Sequence, residues 1–130
     1  MKLRIGWLLF VLLLAGCNSP SSQVVDNGKP GNIEILVFED GNGNEIQDAG
    51  EVGISEEVSI TQQISCPGTD TAQLTRLMTD AQGRGLFTDL KPGVYCVAYM
   101  GGESTTTRIT IKVPVSSEQT TQVTFGVMPE

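Results

Sequence analysis

Oxygen-bearing side chains crowd one short stretch of this chain, residues 40–51 (DGNGNEIQDAGE). Counted from Asp40, they fall at positions 1, 3, 5, 9 and 12 as Asp40, Asn42, Asn44, Asp48 and Glu51, with Ile46 at position 7. That is the ligand spacing of a twelve-residue calcium loop, in which position 7 lends its backbone carbonyl and a position-12 Glu binds through both oxygens. One oxygen from each of the first five ligands and two from Glu51 make seven, which suits Ca²⁺. Mg²⁺ takes six at shorter distances and keeps its waters. Position 6 of such a loop is normally Gly, because the turn there needs positive φ, and here it is Glu45. A non-Gly residue held left-handed costs about 1 kcal/mol. Asp, Asn and Gly are also the commonest turn residues, so the competing expectation is a solvated acidic turn.

The chain around this loop reads as exported. Lys2 and Arg4 precede an apolar run over residues 5–14, and Ala15-Gly16-Cys17 follows. A basic start, a short apolar stretch and small residues before a cleavage point make a signal peptide over residues 1–16, too short to span a membrane. Leu14-Ala15-Gly16-Cys17 resembles the lipobox of bacterial lipoproteins. The resemblance implies cleavage before Cys17, a diacylglycerol thioether on its sulfur and N-acylation by a chain such as palmitate. Asn18 follows where an Asp would mark inner-membrane retention, so the expected location is the outer membrane or cell surface. Each buried acyl CH₂ contributes about 0.8 kcal/mol, so two or three chains anchor firmly.

Removing residues 1–16 takes two of the eight basic residues and none of the fifteen acidic ones, leaving six against fifteen, a net charge of −9. Such an acidic surface argues against nucleic acid as a partner and favours solubility and cation binding. The chain has no His, which removes the commonest general base and transition-metal ligand. No spacing of Asp, Glu, Ser or Lys suggests a catalytic constellation, so an enzyme is not expected. Cys66 and Cys96 remain as an even pair in an oxidising compartment, most simply a disulfide, with two buried free thiols as the alternative.

Residues 17–32, the lipidated Cys and a Ser-, Pro-, Gly- and Asn-rich stretch, read as a flexible spacer reaching roughly 20 Å. Residues 33–130 read as one domain of short strands. Alternation places Ile33, Ile35 and Val37 on one face of the first strand, Leu36 and Phe38 on the other. This strand is therefore covered on both sides. Further strands are expected over residues 58–66, 74–79, 86–90, 94–99, 108–115 and 120–127. Tyr95, Val97 and Tyr99 share a face that Cys96 does not. Ile109, Ile111, Val113 and Val115 face inward, and Pro114 puts its strand at an edge. Seven short strands without a helical pattern predict an all-β, seven-stranded antiparallel sandwich of immunoglobulin-like type.

Two blocks resemble the B-type repeat domains of serine–aspartate-repeat bacterial surface adhesins, relatives of the collagen-adhesin B-type fold. The first is Val37-Phe38-Glu39-Asp40 with Asn42, Asn44, Ile46-Gln47-Asp48, Glu51, Gly53-Ile54 and Val58. The second is Thr79-Asp80-x-x-Gly83 with Phe87, Leu90, Pro92-Gly93, Tyr95 and Val97. The resemblance implies a prealbumin-like sandwich stiffened by Ca²⁺ at Asp40, Asn42, Asn44, Ile46, Asp48 and Glu51. It departs from the pattern at Glu45, at Gly85 (commonly Tyr, so thinner packing), and in being a single copy. The Lys and Asn that form an isopeptide bond in some relatives are missing from the first and last strands. The function expected is a lipid-anchored, monomeric, calcium-stabilised module of the cell envelope, structural or adhesive. The alternative is a transthyretin-like module binding a polysaccharide or an extracellular protein without calcium, for which Tyr99 is the one loose aromatic candidate.

Overall fold

The computed structural model describes residues 23–63, 65–67 and 73–130. The expected signal peptide, the lipid-bearing Cys17 and Ile64 of the second expected strand lie outside them. Regular structure among the described residues is all strand: β1 (Gly31–Glu39), β2 (Glu57–Gln62), β3 (Thr75–Met78), β4 (Arg84–Leu90), β5 (Gly93–Tyr99), β6 (Thr110–Val115) and β7 (Thr120–Val127). They form two sheets, ordered β4-β1-β7 and β3-β2-β5-β6.

Alternating apolar residues explain why the sheets face each other. Ile33, Ile35 and Val37 of β1 are fully buried, and Val58, Ile60, Tyr95, Val97, Tyr99, Val113, Val115, Val123, Phe125 and Val127 join them in one core. β1 is the middle strand of its sheet, and its opposite face is covered too, with Leu36 and Phe38 buried. Phe38 stands between two glycines, Gly126 beside it on β7 and Gly53 across an isolated bridge. Pro114 lies on β6, an edge strand bonded to β5 alone, as its missing N–H requires.

Several features depart from the expectations. β1 and β7 pair in parallel, from Asn32↔Thr120 to Glu39↔Val127, within an otherwise antiparallel sandwich. These strands come from opposite ends of the domain, so no hairpin constrains their direction. Ile109, one residue before β6, is 58% exposed although its carbonyl still accepts from Tyr99 N–H at 2.9 Å. The domain also begins before residue 33, since the last part of the expected spacer is docked. Val25 and Asn27 donate backbone N–H groups to Ser116 and Ser117, while Lys29 pairs with Glu118 at 3.0 Å. Gly85 does not thin the core, for Leu77 of β3 packs directly over it. Cys66 and Cys96 are bonded, with Cα atoms 5.3 Å apart. Cys96 lies on the face of β5 turned away from the main core, as the alternation predicts.

The two sequence blocks meet at one junction. After the acidic loop, the chain returns along β1 through Glu39 N–H to Val52 O (2.9 Å) and Ile54 N–H to Val37 O (3.0 Å). The β3–β4 turn reaches the same place, with Val37 N–H donating to Gly83 O at 2.7 Å. Buried Thr79 then clamps the returning chain. Its hydroxyl donates to Ile54 O and accepts from Glu56 N–H, both at 2.8 Å. Asp80 closes the turn by accepting from the N–H groups of Gln82 and Arg84. Gly53 and Gly83 stack so closely that a Cβ on either would strike backbone. Added at Gly53 it would lie 1.8 Å from Gln82 O, and at Gly83 1.9 Å from Val37 O.

This junction has a measurable consequence. Gly83→Ala combines backbone overlap with a φ of +76° and is expected to lower unfolding free energy by about 3 kcal/mol in urea titrations. Gly28→Ala, at φ +85° but with nothing within 4 Å, should lose only about 1 kcal/mol. Equal losses would mean that the close approach contributes nothing.

Candidate metal centre

The loop leaves β1 at Asp40, whose position is set from three sides. Its N–H donates to Val127 O at 2.8 Å, continuing the parallel pairing with β7 one residue past the end of β1. Its side chain is buried, 2% exposed, which is unusual for a carboxylate with no cationic partner among the described residues. Burial is tolerated because each oxygen accepts two hydrogen bonds. Oδ1 accepts from the N–H groups of Gly43 (2.8 Å) and Asn44 (3.2 Å). Oδ2 accepts from Glu45 N–H (2.9 Å) and from the Thr106 hydroxyl (2.6 Å). The Thr106 hydroxyl foremost, then the N–H groups of Glu45, Gly43 and Asn44, hold this carboxyl below the usual aspartate range despite the opposing effect of burial.

The other acidic ends of the loop are used in the same way. Glu51 Oε1 accepts from Gly41 N–H at 3.0 Å and Oε2 from Asp48 N–H at 2.8 Å, so position 12 binds positions 2 and 9. Asn42 and Asn44 each turn their oxygen onto the backbone N–H two residues on, Asn44 and Ile46 respectively. Their amide nitrogens both lie 2.7 Å from Asp48 Oδ2. Positions 3, 5 and 9 thus converge on one point. Ile46 keeps its side chain 64% exposed, which leaves its role to the backbone. Position 6 adopts the path that the calcium spacing demands, Glu45 having φ +63°.

These groups fit calcium by donor chemistry. All six candidates are oxygen donors, the hard ligands that Ca²⁺ takes. The three salt bridges among the described residues join Lys29–Glu118, Arg76–Glu57 and Arg84–Glu34, so none neutralises the loop. Among the described residues no three carboxylates gather as a metal cluster. Asp40, Asp48 and Glu51 each accept N–H donors instead, and a cation would engage the amide oxygens of Asn42 and Asn44 where Asp48 now meets their nitrogens.

Two supporting residues were not legible in the sequence. Thr106 belongs to a run of four hydroxyl residues, 104–107, and spacing alone does not say which one reaches Asp40. Gly126 makes that contact possible, because a Cβ there would lie 2.3 Å from Thr106 Oγ1 and 3.0 Å from Asp40 Oδ2. Beside the loop lies a cleft of about 370 Å³ bordered by Glu39, Glu56, Glu103 and Met128. Burial, then the Glu103 charge, raises the Glu56 carboxyl. The Tyr99 hydroxyl, donating at 2.8 Å, lowers that of Glu103. Tyr99 itself is buried and tilted against Phe125, 6.0 Å between ring centroids, so it offers no exposed platform for a sugar. Phe38, Phe87, Phe125 and Tyr95 are buried as well.

Comparison with known proteins places this geometry in context. Residues 31–124 match the family described as SdrD B-like domain. No curated protein matches the chain. Among solved structures, the minor pilin GBS52 of Streptococcus agalactiae superposes with a TM-score of 0.53 at 14% identity, covering 78% of this chain and 46% of the pilin. The D1 domain of the RrgB pilus backbone from Streptococcus pneumoniae gives 0.52 at 10% identity, covering 87% of this chain and 97% of that domain. The full-length major pilin SpaD from Corynebacterium diphtheriae gives 0.50 at 14% identity, covering 79% and 34%. The chain thus spans less than half of the two longer pilins. At these identities the likeness is one of fold.

Two outcomes test the loop as described. Glu45→Gly removes a left-handed non-Gly residue without removing a ligand, so unfolding free energy is expected to rise by up to about 1 kcal/mol. An unchanged or lower value would show that the Glu45 conformation carries no strain. Acid should destabilise the domain through Asp40 and Glu103. Both carboxyls are depressed in the folded state, so their contribution is present above about pH 4 and is lost as pH falls through their folded values. Glu56, raised on folding, works in the opposite direction and offsets part of the loss. Thermal midpoints measured from pH 7 to pH 2 should fall below about pH 4 in wild type and fall less in Asp40→Asn.

Proposed function

Because this chain belongs to the SdrD B-like domain family, we propose that it is a structural, non-enzymatic module of the bacterial cell envelope, braced by calcium at residues 40–51 and held to a membrane by lipid on Cys17. The observation that carries the calcium reading is Glu45. A bulky residue occupies the left-handed conformation at the one position where the ligand spacing calls for it. Calcium would be held by Asp40, Asn42, Asn44, the Ile46 carbonyl, Asp48 and Glu51. It would neutralise three carboxylates and tie the end of β1 to the chain returning through Gly53. Three charged ligands and a strained position 6 suit a weak site, on the order of 10⁻⁴–10⁻³ M, as in extracellular modules.

Lipid attachment rests on the sequence around Cys17. The docking of residues 25–30 shortens the free tether to the residues before Val25, so the domain would sit closer to the membrane than a spacer to residue 32 allows. The partner across the envelope would be an extracellular protein rather than nucleic acid, given the acidic surface. Burial of every aromatic residue beyond the signal peptide speaks against the polysaccharide alternative.

The test is the thermal midpoint of residues 23–130 with 1 mM Ca²⁺ and with chelator. For a dissociation constant of about 0.1 mM, linkage gives roughly 1.4 kcal/mol and a rise of about 5 °C or more. The rise should vanish in Asp40→Ala and Glu51→Ala. A midpoint indifferent to calcium would reduce the loop to a hydrogen-bonded acidic turn. The mass of the full-length protein from bacterial membranes separately tests the lipid.

A further inference from the structure

Loop 40–51 does not close on itself alone, because a segment distant in sequence, residues 100–107, reaches into it. The chain leaves β5 at Tyr99 and lies along the free edge of β7 before β6 begins. Met128 N–H donates to Ser104 O at 2.8 Å, Thr105 bridges Val127, and Thr106 N–H donates to Gly126 O at 2.9 Å. Gly126 N–H in turn donates to the Thr107 hydroxyl at 3.2 Å. These contacts fix the backbone on both sides of Thr106 and direct its hydroxyl to Asp40 Oδ2 at 2.6 Å. At its start the segment is held by Glu103, which accepts from the Tyr99 hydroxyl.

From this geometry we infer that Thr106 is a positioning residue of the calcium site, and that calcium bound at loop 40–51 stiffens segment 100–107 along with its own loop. The inference rests on the calcium reading of the loop. A ligand carboxylate fixed by a hydrogen-bonded outer partner loses less freedom when the metal arrives, and such partners typically change metal affinity about 10- to 100-fold. Asp40 is the ligand for which this matters most. It is buried, it starts the loop, and its Oδ2 is shared between Thr106 and the N–H of position 6. Removing the hydroxyl leaves Oδ2 one donor short and the carboxylate held only by the N–H groups of its own loop. Coupling runs both ways, so a cation that holds Asp40 in place also holds Thr106 and the segment attached to it.

The experiment is calcium titration calorimetry on wild type, Thr106→Val and Thr106→Ser, with hydrogen exchange of residues 100–107 measured with and without calcium. Thr106→Val should weaken calcium binding about 10-fold, and Thr106→Ser, which keeps the hydroxyl, should restore it. In wild type, calcium should slow exchange in both 40–51 and 100–107, and in Thr106→Val the second effect should disappear. A lower midpoint in chelator for Thr106→Val, with calcium affinity unchanged, would make Thr106 merely structural and overturn the inference. Calcium protection of 40–51 without any at 100–107 in wild type would overturn it too. No calcium response anywhere would overturn the calcium reading and this inference together.

Discussion

A buried carboxylate held by hydrogen-bond donors, with no cation beside it among the described residues, is the constraint on which this end of the molecule depends. Asp40 is nearly inaccessible to water, and an unpaired charge there would be too costly to keep. Four donors make it possible, and each comes at a structural condition. Gly43, Asn44 and Glu45 must fold back so that their N–H groups point at one side chain, which forces Glu45 into the left-handed region. Thr106 must arrive from the β5–β6 connection, which requires that connection to run along β7 before β6 begins. Gly126 must lack a side chain. The loop's shape, the path of a remote segment and a glycine on β7 all follow from one carboxylate.

The remainder of the domain holds Asp40 at a fixed point. β1 is central in its sheet and covered on both faces, so its end is well placed by packing before the loop begins. The parallel pairing with β7 carries through to Asp40 N–H. On the other side the returning chain is locked by Thr79 and by the stacked pair Gly53 and Gly83. The two sequence blocks that resemble surface-adhesin repeats are therefore the two sides of one contact. This explains why a loop with its own hydrogen bonds is joined so tightly to a turn nearly thirty residues later.

Much of the fold was legible because strands with one buried face advertise it by alternation. All seven strands fall where the pattern places them, within a few residues, and Pro114 and Cys96 sit on the edge and outer face expected of them. What alternation does not carry is direction or partnership. Nothing local in residues 31–39 or 120–127 distinguishes a parallel neighbour from an antiparallel one. Docking of residues 25–30 was also hidden, since Ser, Pro, Gly and Asn read as spacer whether or not Ser116, Ser117 and Glu118 wait to bind them. In the loop, residue types and spacing picked out side chains that hydrogen-bond within residues 40–51. They could not reveal that backbone N–H groups occupy the carboxylates, nor that one threonine among four hydroxyl residues completes the set.

The Asp40 carboxylate, rather than turn propensity, shapes residues 41–45. Hydrogen exchange of the Gly43, Asn44 and Glu45 amides in calcium-free protein, comparing wild type with Asp40→Ala, separates the two. Measurable protection of all three is expected in wild type and exchange at coil rates in the variant, while the β1 amides stay slow in both. Coil-rate exchange already in wild type, or protection that survives in Asp40→Ala, would contradict it.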